Sequence, residues 1–193
     1  MRRLPIYICI DTSGSMRGEP IKMVYKGLTM LGTRLRQDPY MLETAYLSII
    51  TYNVHARETV PLTELMEFPF TTQEFTCSGA SCLGAALEFV VQSVRRNCIR
   101  STTEIRGDWI PDLLIFTDGK PSDSFAYQAM IPTIQMLFEE IRIFTVGQKA
   151  DLVALQQLTD AIIPLETATT TDLYQGYISY GSIKSNIIHR LYS

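Results

Sequence analysis

Ile8-Cys9-Ile10-Asp11-Thr12-Ser13-Gly14-Ser15-Met16 decides how this chain is read. An apolar run stops at a carboxylate, and two hydroxyls follow at a spacing of two. Residues 4–10 read as a buried strand, apolar on both faces, as a central parallel strand is. A strand that leaves the core and at once offers Asp11, Ser13 and Ser15 is either a polar turn capping a helix or half of a metal site. In a looping segment, residues at i, i+2 and i+4 can face one concavity. Their hard oxygens suit Mg²⁺ or Mn²⁺, with waters completing the octahedron. One carboxylate binds weakly, and Asp118 supplies a second: Thr117-Asp118-Gly119 breaks another apolar run at 112–116. Gly14 and Gly119 are expected to permit the tight turns that aim these oxygens inward.

Outward from this stretch, the period changes at residues 19–36. Ile21, Val24, Leu28, Leu31 and Leu35 recur at three and four, the pattern of a helix with one apolar face. Pro20 suits its first turn, and Asp38-Pro39 is read as its end. Residues 44–52 are β-branched and aromatic, hence a strand. Residues 56–62 carry charge and Pro61, and read as an edge strand and hairpin partner of the one before. Residues 63–76 are irregular, and 83–95 return to a helical period. A polar connection at 97–109 leads to the strand at 112–116. Then follow a helix at 127–140, with Pro132 in a first turn or at a kink, and a strand at 141–146. A short helix at 151–158, a short strand at 161–165 and a helix at 170–190 complete the reading. Strands alternate with helices, so the fold class is α/β. It is a three-layer, doubly wound, Rossmann-like and mostly parallel sheet, read as one domain over 1–193. Parallel strands place functional loops at their carboxyl ends. If the strands before Asp11 and Asp118 are neighbours, the two carboxylates meet in one crevice.

Seventeen basic against twenty acidic residues give a net charge of −3. That balance argues against a nucleic-acid partner, and Arg95, Arg96 and Arg100 read as a solvated helix end. Cys9, Cys77, Cys82 and Cys98 have no CxxC spacing, and His55 and His189 lie far from them in sequence, so a zinc site is not expected. Cys77 and Cys82 flank Ser81, where a redox-sensing thiol is the lesser reading. Tyr174, Tyr177 and Tyr180 read as core packing. Asp123 reads as a helix cap or solvated turn ahead of a role in tuning the site. No signal peptide opens the chain and no apolar run reaches eighteen residues, so no membrane span and a cytoplasmic location are expected.

Three segments together resemble the von Willebrand factor type A domain and its metal-ion-dependent adhesion site. They are Asp11-Thr12-Ser13-Gly14-Ser15-Met16, Gly79-Ala80-Ser81-Cys82-Leu83-Gly84-Ala85-Ala86-Leu87 and Thr117-Asp118-Gly119-Lys120-Pro121-Ser122-Asp123. Arg34-Leu35-Arg36-Gln37-Asp38-Pro39, Leu62-Thr63-Glu64-Leu65 and Gly107-Asp108-Trp109 further resemble the TerY-like bacterial proteins of tellurium-resistance and stress gene clusters. The resemblance implies an antiparallel edge strand near 56–62 and a metal set of Asp11, Ser13, Ser15, Ser81 and Asp118. Ser81 stands where the family usually has threonine. The resemblance also implies a protein-interaction module, not an enzyme. Its Mg²⁺, or Mn²⁺, is completed by a carboxylate from a partner protein, with a neighbouring kinase or phosphatase as the implied partner class. The alternative is a Mg²⁺-dependent, phosphatase-like hydrolase using Asp11. That chemistry wants an acid–base two residues on, where Ser13 stands, and no GxxxxGK[ST] phosphate loop is present.

Overall fold

β1 (Leu4–Asp11) is the spine of the sheet, with all eight residues buried. It pairs in parallel with β2 (Ala45–Tyr52) on one side and β4 (Asp112–Thr117) on the other. β5 (Ile141–Thr145) and β6 (Ile162–Pro164) continue in parallel beyond β4. β3 (Ala56–Glu64) closes the opposite edge antiparallel to β2. The strand order is therefore β3-β2-β1-β4-β5-β6. This architecture comes from a computed structural model that describes residues 2–70, 74–147 and 150–168. The helix expected at 170–190 lies outside the described residues, as do His189, Tyr174, Tyr177 and Tyr180.

Period-two alternation along β1 divides the core into two layers. Ile6, Ile8 and Ile10 pack with Val24, Leu28 and Leu31 of α1 (Glu19–Leu35). Tyr7 and Cys9 face the other way. There they join Leu87 and Val90 of α3 (Leu83–Asn97), Ile134 of α4 (Ser124–Leu137) and Leu155 of α5 (Leu152–Gln156). The three-layer, mostly parallel reading thus holds, with β3 as its antiparallel edge. Pro61 fits there because an edge strand has a side that needs no ladder donor. No helix among the described residues is long and apolar enough to cross a membrane.

Several boundaries differ from the sequence reading, each for a local reason. Asp38-Pro39 ends α1 but also starts a further helix, α2 (Pro39–Thr44). Asp38 Oδ1 accepts the Tyr40 and Met41 N–H groups at 2.8 and 3.4 Å, and Pro39 occupies the first turn. Thr44 therefore closes α2, and β2 begins one residue later. α4 starts three residues earlier than its apolar period indicates and ends at Leu137, so Pro132 lies inside it. α3 runs on to Asn97, and the connection at 98–109 has no regular structure, yet it is anchored. Arg3 clamps Asp108 at 2.9 and 2.7 Å, the Trp109 N–H donates to the Arg3 carbonyl at 2.8 Å, and Arg2 lies 3.8 Å over the Trp109 ring.

Candidate metal centre

Asp11 is the last residue of β1 and is fully buried. Alternation from Tyr7 and Cys9 turns its side chain toward the α3 layer. β4 delivers Thr117 to the same side by the same alternation, after Leu113 and Ile115. The loop before α3 delivers Ser81. The Ser81 hydroxyl donates to Asp11 Oδ2 at 2.7 Å, and the Thr117 hydroxyl donates to the same oxygen at 2.9 Å. The Ser13 N–H donates to Asp11 Oδ1 at 2.8 Å. Burial pushes the Asp11 carboxyl upward from the usual carboxylate range, against the pull of the Ser81, Ser13 and Thr117 donors. Tyr52 lies opposite Asp11 in the β1–β2 register. Its hydroxyl is buried beside Thr117 and Ser81, without a well-formed hydrogen bond among the described residues.

Ser13 and Ser15 sit on the other flank of Asp11, with their Oγ atoms 3.1 Å apart. Octahedral Mg²⁺ with bonds of about 2.0–2.1 Å places adjacent oxygens about 2.9 Å from one another, so this spacing suits two neighbouring ligands. Ser13 is buried and Ser15 exposed, which puts the pair at the mouth of the crevice. β1 and β4 are neighbours, so Asp118 follows directly on the strand beside Asp11. It is half-buried, and among the described residues nothing hydrogen-bonds its carboxylate. The five residues read from sequence therefore come from three loops that meet at the carboxyl ends of β1 and β4. Every side-chain donor atom is oxygen. No group of three or more His, Cys, Asp and Glu side chains converges among the described residues. An ion held here would therefore depend on hydroxyls, a set that suits Mg²⁺ or Mn²⁺.

Backbone bonds hold the three loops together. The Gly14 N–H donates to the Gly79 carbonyl at 2.9 Å, and the Ser78 N–H to the Thr12 carbonyl at 2.9 Å. The Ser122 N–H donates to the Ser81 carbonyl at 2.7 Å. Asp123 does cap a helix, but α3 and not α4, the helix it precedes. Its two carboxylate oxygens accept the Gly84 and Ala85 N–H groups at 3.0 and 2.9 Å. Gly119 needs its glycine: φ is 90°, and a Cβ would stand 2.5 Å from that of Ala150. Gly14 does not, because its φ is not positive and a Cβ would meet nothing nearer than 3.6 Å. The left-handed glycine in this part of the crevice is Gly79, with φ 75°. Sequence reasoning missed Thr117 as a hydrogen-bond partner of Asp11. The thiols of Cys77 and Cys82 are both raised, chiefly by burial and also by nearby carboxylates, which disfavours a reactive thiolate.

The family model for the von Willebrand factor type A domain matches residues 6–172. No curated protein matches the chain. Among solved structures, proximal thread matrix protein 1 from the mussel byssus, with a zinc-occupied MIDAS motif, is similar at TM-score 0.64 and 12% identity. That match covers 89% of this chain and 44% of the mussel chain. BatB from Bacteroides thetaiotaomicron is similar at TM-score 0.57 and 12% identity, over 98% of this chain and 100% of its own. VWA2, an ArnB paralog from Sulfolobus acidocaldarius, is similar at TM-score 0.58 and 17% identity, over 91% of this chain and 45% of its own. The chain spans less than half the length of the mussel and Sulfolobus chains. At these identities the likenesses speak to the fold alone.

Proposed function

The chain belongs to the von Willebrand factor type A domain family, and from that premise we propose that it is a metal-dependent protein-interaction module. Asp11, Ser13, Ser15, Ser81 and Asp118 would hold Mg²⁺ or Mn²⁺. The bound ion would supply a positive charge for a carboxylate from a partner protein. The observation that carries this reading is that Asp11, Ser13, Ser15 and Ser81 gather at the β1–β4 crevice, with Asp118 next along the neighbouring strand and Ser15 open to solvent. The chain's own residues prepare the site. Ser81 and Thr117 fix one oxygen of Asp11, and the loop N–H of Ser13 fixes the other. The TerY-like likeness, on residues 34–39, 62–65 and 107–109, supports a place in a bacterial stress or tellurite-resistance system. A kinase or phosphatase encoded nearby is then the candidate partner, acting in the cytoplasm with 1–193 as one domain.

A hydrolase built on Asp11 has less support. Ser13 offers no acid–base in the position that chemistry uses.

The test is thermal unfolding with Mg²⁺, Mn²⁺ or EDTA, on the wild type, Asp11→Asn and Ser15→Ala. A ligand at a hundred times its Kd stabilises by about 2.7 kcal/mol. The wild-type midpoint should therefore rise with metal and return with EDTA. Asp11→Asn should lose the rise, and Ser15→Ala, exposed and harmless to folding, should blunt it. A wild-type midpoint indifferent to both ions would overturn the metal site. A pull-down in Mg²⁺ and in EDTA, beside Asp11→Ala, then reads whether partner capture needs the ion.

A further inference from the structure

At the pole opposite Asp11, where β4 begins, the ends of α3 and α4 and the connection after α3 enclose a groove of about 330 Å³. Its wall includes Ile99, Ile110 and Met136, exposed by 50%, 52% and 88%. Single exposed apolar side chains are ordinary on a monomer, but several gathered on one concavity mark a contact surface. Arg95 and Arg100 stand at the same groove, both exposed. Among the described residues neither pairs with a carboxylate. Asp108 is the acid in the wall, and it is already occupied. It is clamped by Arg3 at 2.9 and 2.7 Å and by the Ile99 N–H at 2.8 Å, so it leaves the two guanidinium groups unneutralised. Arg96 points away, to Glu58 at 3.5 Å. In a chain of net charge −3 this is a local reversal of sign beside apolar surface.

We propose that this groove docks an acidic, aliphatic segment of a protein partner. Its apolar side chains seat against Ile99, Ile110 and Met136, and its carboxylates pair with Arg95 and Arg100 in bidentate fashion. Charge complementarity selects the occupant. Two guanidinium groups on an acidic chain do not make the extended cationic track that nucleic acid needs, and Arg2 already covers a face of Trp109. The groove is independent of the metal crevice, so a partner held here and a partner held there can be held together.

The test pans a random dodecapeptide library on the immobilised full chain, with Arg95→Glu/Arg100→Glu/Met136→Glu as the counter-selecting surface. All three positions are exposed, and circular dichroism checks that the variant folds. Enriched peptides should combine Asp or Glu with Leu, Ile or Phe. By fluorescence polarisation, Met136→Glu alone and Arg95→Glu/Arg100→Glu together should each weaken binding by about tenfold or more. EDTA and Asp11→Asn should leave it unchanged, so this proposal and the metal reading fail separately. Peptides enriched without carboxylates, binding indifferent to the arginines, or no peptide retained above the variant would each overturn the proposal. So would a concentration-dependent dimer broken by Met136→Glu, which would put a second copy of the chain in the groove.

Discussion

The Thr117 hydroxyl joins two loops. It donates to Asp11 Oδ2 at 2.9 Å and accepts the Gly119 N–H at 2.9 Å. Thr117→Val keeps the shape and deletes both bonds, leaving a buried N–H without a partner. The expected loss is about 1–3 kcal/mol, read as a lower urea midpoint, with Thr117→Ser retaining most of the wild-type value. An unchanged midpoint in the valine variant would show that this hydroxyl holds nothing. Asp11, Ser13 and Ser15 are legible in sequence because a carboxylate that abruptly ends an apolar run is chemically conspicuous. Ser81 is visible only through its likeness to a family segment, since nothing in its own neighbourhood points to Asp11. Thr117 is invisible, because a β-branched residue closing a strand already has a reason to be there. Gly14 misleads in the opposite direction: a glycine between two serines looks required, yet its backbone is one that other residues adopt.

α3 and α4 meet head to head at Gly84, where an added Cβ would stand 2.3 Å from the Tyr127 nitrogen. Asp123 works at this junction, feeding the first N–H groups of α3 from the loop that carries Asp118. A carboxylate there satisfies two orphan donors and complements the helix dipole. Asp123→Ala should cost about 1–2 kcal/mol, a fall of about 2–4 °C in Tm per kcal/mol for a chain of this size. It should also weaken Mg²⁺ binding by calorimetry, since Ser122 and Ser81 are bonded across the same junction. A variant that loses stability but keeps its metal affinity would confine Asp123 to capping. The elements were legible where a period ran long, as in α1, and blurred at termini that carry no apolar period of their own. α4 begins ahead of its first periodic apolar residue, where the Asp123 carbonyl accepts the Tyr127 N–H at 2.9 Å. α2 was hidden because Asp-Pro has two meanings, a stop for one helix and a cap plus first turn for the next.

At the scale of the molecule, the adjacency of β1 and β4 makes the site, and neither strand's own residues encode it. It follows from winding the chain outward in both directions from β1, which leaves the crevice at the point where the strand order reverses. The same winding closes α3 and α4 over one face of the sheet and buries Tyr7, Tyr52 and Tyr127 there. Burial is the leading cause that pushes all three phenols up, Tyr127 to about 12. An unfolded tyrosine titrates near about 10. Above that pH the folded chain keeps protons that the unfolded chain releases, so stability falls as pH rises. The contribution of Tyr127 is whole below about pH 10 and is lost as pH rises through about 12. The buried thiol of Cys9 and the half-buried thiol of Cys98 are also raised and act in the same direction from a lower starting pH. Urea midpoints measured from neutral to alkaline pH should therefore decline and steepen beyond about pH 10. Tyr127→Phe sacrifices the bond to the Ala154 carbonyl, 3.1 Å long, and should start lower at neutral pH. It should then decline less steeply, because it has one fewer proton to lose on unfolding. Parallel pH slopes for the wild type and Tyr127→Phe would mean that Tyr127 titrates alike in the folded and unfolded chain, and its burial would not be felt.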